Sequence, residues 1–277
     1  MTEVIMEYRK LKGQKKYNLP LFVKAQQNVE QIFSADMQIW YMNVESNSNS
    51  IIIYLHGGAY VEEILAFHWL MLDKITSLVD STFIIPDYPL APYSSYEECY
   101  DKMTVLYEKV LKYYQDKQII LMGDSAGGGL ALGLCQYWNT LKLRQPDKLI
   151  LMSPWVDLTM SNPDMDSFKP FDPTLKKDEL LIDAMYWAKG TPLNDYRLSP
   201  IYGDMSVYKE VHMFTGTHEI FFPDINKMHQ QLLSCGIKSE LIIGEGLNHV
   251  YPAFPIPESN EAINHISEII KETQNDD

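Results

Sequence analysis

The 277-residue chain reads as an α/β protein with a mostly parallel central sheet flanked by helices, and three observations carry that reading. Short β-branched apolar runs recur along it, helix-like stretches with a period near 3.6 lie between most of them, and glycine turns directly follow two of the runs. Hydrophobic residues make up 46% of the sequence, enough for one large core, so a single domain spanning residues 1–277 is expected.

Residues 1–45 are mixed in pattern. They suggest one or two helices and then an edge strand within "VEQIFSADMQIWYMNV" (29–44), and they are a candidate N-terminal cap segment. "SNSNS" (46–50) reads as a turn before "IIIYL" (51–55), too short and too β-branched for a helix and apolar enough for a strand buried on both faces. "AFHWLMLDKITSLVD" (66–80) carries a helical stripe, "TFIIPDY" (82–88) a second strand, and "YEECYDKMTVLYEKVLKYYQD" (96–116) a stronger helical stripe. "QIILMG" (118–123), "KLILMSP" (148–154), "VHMFTG" (211–216) and "SELIIGEG" (239–246) continue the strand series. The helix "INKMHQQLLSCG" (225–236) follows Asp224, which fits as its cap. Residues 155–210 break the rhythm with a Pro-, Asp- and aromatic-rich excursion, a candidate cap or pocket wall.

In parallel sheets ligands gather at the carboxyl ends of the strands, so reactive residues are sought just after the apolar runs. "GDSAG" (123–127) matches G-x-S-x-G at a strand-to-helix junction, where a tight turn exposes a serine hydroxyl beside helix N–H groups that favour developing negative charge. Ser125 is the candidate nucleophile. A serine hydroxyl needs a base, and His249 follows the last strand; the base needs an acid to fix its tautomer, and Glu219 follows the strand before it. Asp224 is the alternative acid. "HGGAY" (56–60) follows the first strong strand, offering Gly57 and Gly58 with Ala126 as oxyanion donors and His56 as support for the loop.

Acidic residues outnumber basic ones 37 to 23, giving a formal charge of −14 without a polybasic block, which disfavours nucleic acid and anionic membrane surfaces as partners. The N-terminus lacks the pattern of a secretory signal and no run is long and apolar enough to span a bilayer, so a cytoplasmic protein without membrane insertion is expected. Cys99, Cys135 and Cys235 are odd in number and lack metal-ligand spacing, which supports neither a disulfide framework nor a zinc site.

"HGGAY" and "GDSAGG" together, with "DYPLAP" (87–92), "SPWVDLT" (153–159) and "LSPIYGD" (198–204), resemble the hormone-sensitive-lipase-like branch of the α/β-hydrolase carboxylesterases over most of residues 50–255. Ala59 stands where the family's loop has a third glycine, Pro89 where it has an arginine, and Glu219 where it commonly has an aspartate. The resemblance implies an α/β-hydrolase fold with a small helical cap. It also implies a serine carboxylesterase acting on small-molecule, short-chain acyl esters through an acyl-enzyme, with no metal or organic cofactor. An amidase or peptidase with the same triad, and a small-ligand receptor on this fold, are the alternatives; the intact His249 argues against the receptor. Homo-oligomerisation is left open. Tyr17, Phe22, Tyr60, Trp69 and Trp155 are candidate pocket aromatics.

Overall fold

The computed structural model describes residues 4, 6, 7, 17–21, 23, 29–44, 46 and 48–272. Eight strands, β1 (Val29–Ser34), β2 (Met37–Met42), β3 (Ser50–Leu55), β4 (Thr82–Pro86), β5 (Gln118–Asp124), β6 (Lys148–Met152), β7 (Glu210–His218) and β8 (Lys238–Asn248), form one sheet in the order β1-β2-β4-β3-β5-β6-β7-β8. The first two pairings, β1 with β2 and β2 with β4, are antiparallel; all the rest are parallel. This is the α/β-hydrolase fold expected from the sequence.

Among the described residues, helices α1 (Ala66–Leu78), α2 (Tyr96–Tyr113), α3 (Ser125–Thr140), α4 (Lys177–Ala188), α5 (Phe222–Ser234) and α6 (Pro257–Glu272) flank the sheet. Side chains alternate along a strand, so β3 sends Ile51, Ile53 and Leu55 into a core shared with α2, α3, α4 and α5, and Ile52 and Tyr54 into one shared with α1 and α6. Burial on both faces is why "IIIYL" is apolar throughout: every residue of β3 is buried.

Two expectations need correction. The segment 29–44 holds two strands, not one edge strand, because Ala35 and Asp36 (φ 52° and 55°) reverse the chain in a two-residue turn and pair Ser34 with Met37. With both central residues at positive φ the turn follows the right-handed twist of the strands, although it lacks the usual Asn-Gly signature. Asp224 does not cap the helix after β7, since α5 begins at Phe222 and Asp224 lies inside its first turn, buried and accepting a hydrogen bond from Asn162 Nδ2 at 2.7 Å.

No helix among the described residues is long and apolar enough to cross a membrane. Cys99 and Cys135 are buried free thiols and Cys235 is exposed.

Candidate active site

Five parallel strands end along one edge of the sheet. β3 is followed at once by His56, β5 by Ser125, β6 by Ser153, β7 by Glu219 and β8 by His249. Ser125 is the first residue of α3 and holds φ at 50°, a left-handed conformation that costs a non-glycine residue about 1–2 kcal/mol. The turn is possible because the chain packs tightly behind it: a side chain on Gly127 would collide with the carbonyl oxygens of Leu55 and His56. Trp155 N–H donates to the Ser125 carbonyl at 2.9 Å and ties the turn to the segment after β6.

Ser125 Oγ lies 2.9 Å from His249 Nε2, and His249 Nδ1 lies 2.5 Å from Glu219 Oε2. The structure thus brings together the three residues expected to form a triad, although they lie far apart in the chain. His249 arrives there through an irregularity in the β7–β8 pairing, where the register moves from Gly216 opposite Gly244 to His218 opposite Asn248. Glu219 is fully buried, and its second oxygen, Oε1, accepts from Ser153 Oγ (2.8 Å), Thr215 Oγ1 (2.5 Å) and Gly216 N–H (2.9 Å). Those donors fix the carboxylate and leave Oε2 to the imidazole. Asp224, the alternative acid, instead faces Asn162, and burial first, with Asp157 and Asp164 nearby, pushes its carboxyl up to about 6.

The loop after β3 corrects one expected site residue. Gly57, expected among the oxyanion donors, has its single N–H committed to Asp124 Oδ1 at 2.9 Å. It does not line the cavity, whereas Gly58 and Ala59 do. Gly58, Ala59 and Tyr60 take φ values of 119°, 51° and 65° in succession, so the loop turns sharply over Ser125. Ala126 is fully buried directly after Ser125. His56, also fully buried, lies with Nδ1 2.7 Å from the Gly57 carbonyl oxygen and its ring stacked on Tyr88 at 4.5 Å. Burial, and then the neighbouring His68, lower its imidazole to about 4, so the ring is neutral and Nδ1–H is the donor.

Ser125 and His249 open into a cavity of about 430 Å³. Its apolar wall comes from Met6, Val61, Leu65, Phe67, Leu180 and Phe254, and its carboxylates from Glu62, Asp124, Glu179 and Asp183. Thr174, Leu175, Glu179, Leu180 and Asp183 are contributed by the 155–210 excursion. Of the candidate pocket aromatics, Tyr17 and Trp69 bond to each other, while Tyr60 stacks on Trp155 and Trp187 in the core. None of the four lines the cavity, and Phe22 lies outside the described residues. Phe67 and Phe254, stacked at 6.1 Å, line it instead.

Comparison with known proteins gives a consistent picture. A family model described as the alpha/beta hydrolase fold matches residues 52–253. An esterase of Acinetobacter venetianus is 28% identical over 236 residues, covering 82% of this chain and 76% of its own. The solved structure of an inferred esterase from Staphylococcus aureus superimposes with a TM-score of 0.92 at 30% identity, covering 97% of this chain and 91% of that one. A structure described as an esterase from the bacterial hormone-sensitive lipase family superimposes at 0.85 with 22% identity, over 92% of this chain and 89% of that one, a likeness of fold.

Proposed function

The chain belongs to the alpha/beta hydrolase family, and from that footing we propose that it is a serine carboxylesterase acting on short-chain acyl esters. The observation that carries the reading is the continuous contact from Ser125 Oγ through the His249 ring to the buried Glu219 carboxylate, at the mouth of an apolar cavity. The esterase names of the relatives at 28% and 30% identity point the same way.

The geometry suits two-step acyl transfer. Glu219 accepts from His249 Nδ1–H and so leaves the Nε2 lone pair facing Ser125. Nε2 takes the hydroxyl proton as Oγ attacks the ester carbonyl. The N–H groups of Gly58, Ala59 and Ala126 receive the oxyanion, Gly57 being committed elsewhere. The imidazolium then gives its proton to the leaving alkoxide, and water repeats the sequence to release the acid. A cavity of about 430 Å³ is at the small end for ligand sites and fits a short acyl chain.

Hydrolysis of p-nitrophenyl acetate, butyrate and decanoate, and of a matched p-nitroanilide, tests the reading. Acetate or butyrate is expected to be turned over best. Ser125→Ala and His249→Ala should each lower kcat by at least about four orders of magnitude, and Glu219→Gln by about two to four, whereas Asp224→Asn should leave it near wild type. Ser125→Ala with unchanged turnover ends the proposal; faster anilide than ester cleavage makes the protein an amidase.

A further inference from the structure

Asp124 precedes Ser125, is 1% exposed, and plays no part in the triad. Its carboxylate nevertheless accepts three hydrogen bonds: Tyr54 O–H at 2.5 Å and Gly57 N–H at 2.9 Å on Oδ1, and His68 Nε2 at 3.2 Å on Oδ2. The tautomer of His68 follows from its other nitrogen. Nδ1 accepts Leu65 N–H at 2.8 Å and must therefore carry a lone pair, so in the neutral ring the proton sits on Nε2 and is donated to Asp124. His68 is also almost fully buried, at the start of α1, and borders the substrate cavity.

The three donors bear on Gly57 in a specific way. Its N–H is held by Asp124, and its carbonyl is held by His56 Nδ1–H from the other side of the residue. A trans peptide is planar with its C=O and N–H pointing oppositely, so drawing the Gly57 carbonyl toward His56 turns the Gly58 N–H away from His56. Both peptides flanking Gly57 are thereby fixed. The fit is close, since a side chain on Gly57 would run into the Asp124 carboxylate.

We propose that His68 and Asp124 are a positioning pair for the oxyanion loop: His68 holds Asp124, Asp124 holds Gly57, and the next two N–H groups of the loop are thereby aimed at the reacting carbonyl. Neither residue touches substrate chemistry. His68 keeps the carboxylate ionised and correctly rotated, and although burial opposes its charge, His68, Tyr54 and His56 more than offset that and lower its pKa. Without a partner for Oδ2, the buried carboxylate would take up a proton or rotate, and Gly57 would lose its anchor.

The proposal rests on the serine-hydrolase reading, and the test separates the two. Three variants, His68→Leu, His68→Gln and Asp124→Asn, are compared with wild type in kcat and KM for p-nitrophenyl acetate, in inhibition by a trifluoromethyl ketone that forms an oxyanion on Ser125, and in thermal unfolding. His68→Leu removes the donor and should lower kcat by about 10–100-fold, weaken the trifluoromethyl ketone by a matching factor, and change KM less than about threefold. His68→Gln returns an amide donor to the same region and should recover most of that loss. Asp124→Asn places an N–H donor against His68 Nε2–H and should reproduce the kcat loss, which carries the test should His68→Leu not fold. A folded His68→Leu or Asp124→Asn with wild-type kcat overturns the proposal. So does a change confined to KM, which would make His68 a cavity wall only, or a glutamine no better than leucine. Wild type that does not bind the trifluoromethyl ketone overturns the serine-hydrolase reading itself.

Discussion

Ser153 Oγ sits between two strand ends, donating to Glu219 Oε1 and accepting Val250 N–H at 2.9 Å, so one hydroxyl ties Glu219 to the backbone just after His249. Ser153→Ala leaves the Val250 amide unpaired in a buried site, a cost of about 1–3 kcal/mol. It should lower kcat about tenfold with little change in KM, and lower the unfolding temperature by several degrees; an unchanged kcat would show that Thr215 and Gly216 hold Glu219 unaided. Ser125, Glu219 and His249 were legible in the sequence because each follows directly on an apolar strand, and strand ends are where a parallel sheet gathers its chemistry. Ser153 also follows directly on a strand, but in the sequence it falls inside the run 148–154, so it does not read as a residue at a strand end. His68 was hidden for a different reason: on an amphipathic helix a histidine looks like part of the stripe. Gly57, expected as an oxyanion donor, turns its N–H to Asp124 instead, which could not be read because a glycine motif gives residue types, not peptide orientations. Asp124, inside the same motif as Ser125, was the signal that could have shown where the Gly57 N–H goes.

At the level of elements, the apolar runs located β3 to β8, because β3 to β7 are largely buried and β8 keeps a short Leu-Ile-Ile run, but the helix α4 inside 155–210 went unread. Periodicity failed at residues 29–42, where the pattern is mixed, β1 is mostly exposed, and Ala35-Asp36 gives no turn signature between the two strands. It also misread α5, whose first turn begins two residues before Asp224. That carboxyl is held up to about 6 by burial and by Asp157 and Asp164. The folded state therefore favours its neutral form: the stability this confers is complete below about pH 4, where the unfolded chain is also protonated, and is lost as pH rises through 6. Asp224→Asn, uncharged throughout and able to keep the bond from Asn162, escapes that loss. Its unfolding temperature relative to wild type should climb by several degrees between pH 5 and pH 8. A difference independent of pH would mean that Asp224 titrates as an ordinary surface carboxyl.

Across the whole molecule the formal charge of −14 meets a cavity whose described walls carry Glu62, Glu179 and Asp183. Fields of this kind concentrate cations and exclude anions over about a Debye length, and salt screens them. Among short esters of matched size, kcat/KM should run cationic above neutral above anionic, with the extremes about tenfold apart at low salt and converging near about 1 M salt. Equal values at low salt would show that the wall carboxylates are neutralised.

The assembly of the site from five strand ends also gives it a history in time. A ribosome makes the chain from its N-terminus, so Ser125 and its glycine turn emerge well before Glu219, and His249 emerges later still. A nascent chain that has already built β3, β5 and β6 holds Ser125 before the residue proposed to take its proton has been made. On the proposed mechanism, turnover waits until β8 has joined the sheet and α6 has covered its face, so reactivity follows the fold that contains it.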